Sequence, residues 1–244
     1  RIFLKEKLDL LHVPHFNIPL AYAKPMVVTI HDLILNEFPT ERASTLKPMM
    51  FKAKLLAYRF VIRQAVSRST KIIAVSEYTK HQIEKSFHVP SNKISVTYES
   101  VDPFPPPAPT ATILRHDVKP PYLLYVGNSY PHKNLERLIT ATKRAWDAGE
   151  RFQLVLVGKR DFFSKRLEES AIAHDVRNVL FYGFAPDDEL ATLYREATAY
   201  FFPSLSEGFG LPGLEAMQAG LPVFAARAAS LPEIFDSAAH LPID

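Results

Sequence analysis

Cysteine is absent from this 244-residue chain. Disulfides and cysteine-bound zinc are therefore excluded, which fits a reducing compartment. Long apolar runs are missing too: nothing approaches the ~20 residues that a membrane-crossing helix needs. No leader sequence is visible at Arg1. The chain also starts without Met and stops at Asp244 just after an expected helix, so it reads as a piece of a longer protein. The expected location is cytoplasmic, with peripheral contact at the inner membrane face. Glycine is scarce, at eight residues, so each one marks a backbone need. Acidic residues thin out locally: from Arg42 to Lys85 ten Lys/Arg stand against two, Glu77 and Glu84. Net charge is only +3, and no nucleic-acid partner is expected. The basic stretch suits an anionic membrane surface or ligand, or is simply a solvated helix face.

What is present is an ordinary globular balance, 47% hydrophobic and 23% charged, with room for one large domain or two modest ones. Five prolines within residues 103–109, followed by Pro120-Pro121, break the chain. Such a run fits neither a helix interior nor a central strand, so residues 103–120 read as a stiff, extended linker. Strands and helices alternate on both sides of it, which predicts two α/β units. Before the linker, strands are expected at 25–30, 71–75 and 94–97. A helix at 47–66 carries Phe51, Leu55, Leu56, Phe60 and Val61 on one stripe, and Ser76 caps a helix reaching Phe87. After it, strands are expected at 122–126, 152–157, 179–182, 199–202 and 221–225. Helices are expected between Asn134 as N-cap and Gly149 as stop, at 162–173, 187–197 and 212–219, and from Leu231. Repeated strand–Gly–helix units predict a parallel, doubly wound sheet with its ligand at the carboxyl ends of the strands.

Three segments at such strand ends carry the chemistry. The first is Glu207-Gly208-Phe209-Gly210-Leu211-Pro212-Gly213-Leu214-Glu215, with seven residues between its carboxylates. Glycines let a ligand approach the backbone, and Pro212 opens a helix whose N-terminus favours phosphate. Carboxylates accept hydrogen bonds from paired sugar hydroxyls, and Glu215 is expected in the first helical turn. The plainer reading is a tight turn with Glu215 offsetting the helix dipole. The second segment runs from Gly127 and Asn128 to Lys133, a cation placed to meet a diphosphate. Lys159 and Arg160 follow Gly158 on the same sheet edge. The third is His31-Asp32 at a strand end, where a histidine is either structural or faces the reacting sugar. His12-Val13-Pro14-His15 reads as a loop lining the cleft. Pro14 resists the helix that a two-histidine metal site would use, so no metal is expected.

These residues resemble a known family. The Glu207–Glu215 string looks like the Glu-x7-Glu motif of retaining GT-B glycosyltransferases of family 4. "YVGNSYPHKNLERLI", "LVLVGK", "NVLFYGF" and "SLPEIFDSAAHLP" fit that family in order, and "VTIHDL", "IIAVSEYTK" and "NKISVTYESVD" resemble its N-terminal domain. The resemblance implies two Rossmann-like domains with parallel sheets facing a cleft. Residues 1–102 would form part of an acceptor-side domain, 103–120 the linker, and 121–244 an incomplete nucleotide-sugar domain. Both chain ends would then be truncated. It implies a hexosyl, best mannosyl, transfer to a glycan or lipid-linked acceptor in cell-surface polysaccharide synthesis. The donor is a nucleoside-diphosphate sugar, GDP-mannose by preference, with no cofactor and no metal. Glu207, His31 and Lys133 would be catalytic. Gly127, Asn128, Lys133, Lys159, Arg160, Glu207, Gly208, Phe209, Gly210, Leu211 and Glu215 would bind the donor, Glu207 at the sugar and Glu215 at the ribose. Many relatives carry Arg where this chain has Asn128, which shifts the phosphate clamp toward Lys133 with Lys159 or Arg160. The rival readings are an epimerase or phosphorylase of the same fold, and a nucleotide-sugar-binding fragment without catalysis.

Overall fold

The computed structural model describes residues 8–39, 47–114 and 116–235. The expected truncation points, the end of the "SLPEIFDSAAHLP" match and Arg42 of the basic stretch lie outside them. The chain divides into two compact units. One holds residues 1–99 together with 207–209, and the other holds 100–206 and 210–244.

The first unit is built on a four-stranded parallel sheet in the order β1-β2-β3-β4. Its strands are β1 Leu11–Val13, β2 Met26–Ile30, β3 Lys71–Ala74 and β4 Ile94–Val96. A short α1, Ile34–Glu37, follows β2, and the long α2, Pro48–Arg68, leads into β3. Helix α3, Glu77–Phe87, leads out of β3; Ser76 caps it by accepting a hydrogen bond from Thr79 N at 3.1 Å. Val28, Ile30, Ile62, Ala65, Ile72, Ala74 and Ile83 are fully enclosed in this unit's core. Each such aliphatic side chain contributes roughly 1.5–3 kcal/mol of burial where it is leucine-sized.

Two expectations change here. The segment His12–His15 is not all loop, because His12 and Val13 belong to edge strand β1, paired Leu11 to Met26 and Val13 to Val28. Three residues are too few to show a period of two. The stripe expected on α2 is also split. Phe51, Ile62, Ala65 and Val66 are its buried residues, whereas Leu56 and Phe60 are 67% and 56% exposed. At 100° per residue, 51, 55, 58, 62 and 65 form one row and 49, 53, 56 and 60 form another on the opposite side. Both rows are apolar, and only packing decides which faces inward.

The second unit is a five-stranded parallel sheet in the order β7-β6-β5-β8-β9. Its strands are β5 Tyr122–Val126, β6 Gln153–Val157, β7 Val179–Gly183, β8 Ala199–Phe202 and β9 Val223–Ala225. The chain steps outward from β5 to β7, then returns to pair β8 with the free side of β5, Leu123 to Ala199 and Leu124 to Tyr200. That reversal between β5 and β8 is the topological switch point, whose carboxyl end is the usual ligand crevice. Helices α5 Leu135–Asp147, α6 Phe162–Ala173, α7 Asp187–Glu196, α8 Leu211–Gln218 and α9 Leu231–Phe235 connect and cover the sheet. Buried tyrosines are tied by their hydroxyls: Tyr122 Oη donates to Leu193 O at 2.8 Å, and Tyr200 Oη donates to Val126 O at 3.2 Å.

The proline-rich stretch is not extended throughout. Thr110–Leu114 forms a helix, α4, with Ile113 fully buried. Its proline-free sequence permits the turn, and Pro109 suits the position just before it. Ala108 N donates to Asp188 O at 3.0 Å and Thr192 Oγ1 donates to Ala108 O at 2.7 Å, so the segment is fastened to α7. Asn134 stands at the expected helix start but does not cap it. It adopts the left-handed conformation (φ 58°), and its Nδ2 donates instead to Pro203 O at 3.2 Å.

Along the sheet edge Gly127 N donates to Val157 O and Gly158 N donates to Gly183 O, both at 2.9 Å. The strand ends are drawn together so closely that a Cβ on Gly158 would lie 2.0 Å from the Gly127 carbonyl oxygen. Gly158→Ala must push two backbone segments apart. It is expected to cost about 3 kcal/mol or more, read as a lowered urea midpoint with an unchanged m-value; a midpoint equal to the parent's would contradict the close approach.

Candidate functional site

In the second unit, two loops meet at the switch point. The loop after β5 contains a single 3-10 turn, Pro131–Lys133, and the loop after β8 runs from Pro203 toward Gly210. Leu205 N donates to His132 O at 2.8 Å, and the Asn134 side chain reaches Pro203 O. Lys133, half-buried, is thereby held beside the loop that carries the Glu207 string. The ring of His132 is buried, which pushes its pKa down to about 4; the neighbouring Lys133 charge adds to the shift. At neutral pH this ring is uncharged, so the positive charge of the loop belongs to Lys133. Nothing in the spacing of "PHKN" distinguishes the two side chains, and sequence reasoning passed over His132.

The other predicted cations on this edge differ from one another. Lys159 is exposed after β6. Arg160 is committed elsewhere: its Nη2 donates to Glu168 Oε1 and to Phe181 O, both at 3.1 Å. That holds its guanidinium toward α6 and β7, away from the β5–β8 switch point. Asn128 is exposed, and its Oδ1 accepts from Tyr130 N at 3.3 Å, closing a local turn. Gly127, Gly158, Lys159 and Arg160 nevertheless line one small hollow at the strand ends.

Helix α8 opens at Gly210, whose φ of 109° is open to glycine and strained for other residues. Leu211 and Pro212 follow as its first two positions, so the expected first place for proline shifts by one. Glu215 is accordingly the fifth helical residue, in the second turn rather than the first. Its Oε2 accepts a hydrogen bond from Tyr194 Oη of α7 at 2.8 Å, a hydroxyl that also lies 3.2 Å from Pro212 O. Tyr194 is fully buried. Burial first, then Tyr200 and Glu215, raise its pKa far above the ordinary tyrosine value. Tyr194 therefore remains a donor and fixes one oxygen of Glu215, leaving Oε1 for a ligand. The sequence offered no signal for this partner 21 residues upstream.

Glu207, Gly208 and Phe209 group with the first unit. Glu207 is a buried carboxylate at 8% exposure, and Phe209 is buried with its ring 5.8 Å from that of Tyr98. Ser76 Oγ, besides capping α3, donates to Gly208 O at 2.7 Å. His31, at the end of β2, has a half-exposed ring between two acceptors: Nδ1 lies 2.7 Å from Glu99 Oε1 and Nε2 lies 3.0 Å from Pro14 O. Asp32 is engaged locally, accepting from Ile34 N at 3.0 Å. His12 pairs with Thr29 Oγ1 at 2.9 Å across β1 and β2. The structure thus brings Lys133, Gly210, Leu211 and Glu215 into one unit and groups His31 with Glu207, Gly208 and Phe209 in the other.

Residues 111–240, more than half of the chain, match the profile of the family described as glycosyl transferases group 1. The chain belongs to that family. Residues 1–103 match the profile described as Glycosyltransferase Family 4. Among curated relatives of this group 1 glycosyl transferase, the O-antigen chain mannosyltransferase RfbU of Salmonella typhimurium is 31% identical over 86% of this chain and 53% of its own length. The O-antigen chain mannosyltransferase B of Escherichia coli is 29% identical over 93% of this chain and 59% of its own. The chain thus spans between half and three-fifths of these relatives. Among solved structures, Anabaena HepE in complex with UDP and glucose aligns with a TM-score of 0.74 at 20% identity, covering 95% of this chain and 63% of HepE. Sucrose-phosphate synthase from Thermosynechococcus elongatus aligns with a TM-score of 0.73 at 21% identity, covering 94% and 59%. These likenesses concern the fold, which is that of the GT-B glycosyltransferases.

The neutral His132 gives the group 1 site a measurable signature. Its folded pKa is depressed to about 4 against 6.5 for the free ring. Above pH 6.5 both folded and unfolded rings are neutral and the residue is indifferent to pH. Between pH 6.5 and 4 the unfolded chain takes up the proton first, so stability falls as pH falls. Urea midpoints of His132→Gln should lose this part of the acid slope. An unaltered slope between pH 6.5 and 4 would show that the ring titrates normally.

Proposed function

We propose that this group 1 glycosyl transferase moves a hexosyl group, mannosyl by preference, from a nucleoside-diphosphate sugar to a glycan or lipid-linked acceptor in cell-surface polysaccharide synthesis, with retention at the anomeric carbon. The observation that carries this reading is the helix start at Gly210 beside the β5–β8 switch point, with the Lys133 loop hydrogen-bonded to Leu205 in the loop that leads to it and Glu215 oriented by Tyr194. The mannosyltransferase names of the two curated relatives favour mannose. HepE is seen in complex with UDP and with UDP-glucose, so a uridine donor is the alternative to GDP-mannose.

In this reading Glu215 Oε1 accepts from the ribose hydroxyls, and the N–H groups opening α8 meet the phosphates. Glu207 accepts from hydroxyls of the transferred sugar. The bond from the anomeric carbon to the donor phosphate oxygen breaks on the same face at which the acceptor oxygen arrives. The acceptor's proton passes to the departing phosphate. Lys133, Lys159 and the α8 N-terminus stabilise the charge that develops on the diphosphate, which removes the need for a metal ion. Arg160, held by Glu168 and Phe181, takes no part in binding the diphosphate. His31, fixed by Glu99 and Pro14, contributes a polar group from the first unit rather than a mobile base.

A thermal-shift panel of GDP-, UDP- and ADP-sugars tests donor binding and identifies the base together. Glu207→Ala is expected to lower turnover at least about 100-fold. Glu215→Ala is expected to raise the donor KM about tenfold, the scale of a hydrogen bond to a charged group, with turnover less affected. Tyr194→Phe should follow Glu215→Ala in direction with a smaller change. Parent-like kinetics in both carboxylate variants would sink the assignment.

Peripheral membrane contact belongs to the same proposal. The outward row of α2 exposes Met49, Leu56 and Phe60 beside Lys52, Arg59 and Arg63, an apolar strip with a basic border. Such a face suits an anionic lipid surface, and no described helix is long and apolar enough to cross a membrane. Leu56→Asp with Phe60→Asp should cut partitioning onto phosphatidylglycerol vesicles at least tenfold. Partitioning equal to the parent's would exclude this face.

A further inference from the structure

The first unit holds a second basic feature, which shares Arg59 and Arg63 with the border of the outward row of α2 but lies between α2 and α3. Between α2 and the end of α3 lies an open cavity of about 620 Å³. Asn36, Arg59, Arg63, Ser67, His88 and Lys93 line it with a few apolar groups, and among the described residues no Asp or Glu does. Ser67 lies in the last turn of α2, just before the amino end of β3, and His88 and Lys93 sit in the connection that enters the amino end of β4. The His31, Ser76 and Glu99 positions, at the carboxyl ends of the strands, contribute nothing to its walls.

The charges in this groove are unusually uncommitted. Among the described residues neither the Arg59 nor the Arg63 guanidinium has a hydrogen bond or ion pair. Lys93 Nζ donates to Val66 O at 2.9 Å and to Ser67 O at 3.0 Å, closing the end of α2. An ammonium has three protons, so one N–H remains for a ligand. Burial alone lowers the Lys93 pKa, and no carboxylate counters it. Two guanidinium forks, one N–H of a half-buried ammonium and the amide of Asn36 thus converge on a space of ligand size.

We propose that this groove is a phosphate-binding site, separate from the nucleotide-sugar site and specific for a phosphate or diphosphate group rather than for a sugar. Paired Arg forks match phosphate oxygens bidentately, and the absence of Asp and Glu among the described lining residues makes cationic ligands poor alternatives. The phosphate has two sources, a free phosphorylated molecule or a lipid headgroup. The inference stands on the first unit alone and holds whichever donor the second unit uses.

The test is an inorganic pyrophosphate titration of the full chain, followed by backbone amide NMR. Saturable shifts are expected at residues 86–93 and around Arg63. They should persist in Lys133→Ala, which removes the candidate donor-site cation. They should weaken at least tenfold in Arg59→Gln/Arg63→Gln, whose exposed side chains make the fold tolerant of the change; a parent-like thermal melt verifies that. Vesicle co-sedimentation then separates the sources. Phosphatidylglycerol binding that pyrophosphate competes away, and that the double variant loses, assigns the headgroup. Pyrophosphate binding without such competition assigns a soluble phosphate ligand. Absence of shifts at 86–93, or shifts equal in the double variant, overturns the proposal.

Discussion

One backbone hydrogen bond, from Leu205 N to His132 O, sets the terms for the second unit. It joins the loops leaving β5 and β8, strands that the chain visits far apart in sequence but pairs side by side. A single such bond has a net worth of only about 0.5–1.5 kcal/mol. Its influence comes from what stands behind it. Both strands are buried, and Asn134 adds a second tie to Pro203 by giving up its capping role. A lysine turn and a glycine-rich helix start are therefore presented as one surface. The neutral ring of His132 lies underneath, where a second charge would repel Lys133.

Much of this was legible from residue patterns. Buried parallel strands such as Tyr122–Val126 read as short apolar runs, each closed by a glycine, because both faces are covered. Helix α6 keeps its expected span, 162–173, with Asp161 supplying a capping box. The position of the Glu207 string followed from strand–turn–helix order. What failed to show in the sequence depends on partners remote along the chain. Tyr194 meets Glu215 only because α7 and α8 pack on the same side of β8. Strand β1 exists only because β2 offers it an edge. The two apolar rows of α2 are equivalent by period, and the sheet chooses between them.

Arg160 makes the same point for charge. A cation after a strand-end glycine is an attractive phosphate ligand by position, but position says nothing of competing carboxylates. Glu168, the seventh residue of α6, captures the guanidinium, while Lys159 one residue before Arg160 stays exposed. Lys93 shows the reverse case. It looks like an ordinary surface lysine, but its amine closes a helix end and brings charge into a groove lined by two arginines that are unpaired among the described residues.

Helix α7 carries two loads. Thr192 holds the carbonyl of Ala108, and two residues later Tyr194 holds the carboxylate of Glu215. The ring of Phe104 rests 5.3 Å from that of Tyr194, so the strap and the carboxylate touch the same side chain. A helix of ten residues is only about 15 Å long and moves as one piece. Any strain on the proline-rich strap is therefore felt at the Glu215 carboxylate, and a ligand that stiffens Glu215 would stiffen the strap in return. The connector is thus a lever attached to the second unit rather than a loose tether.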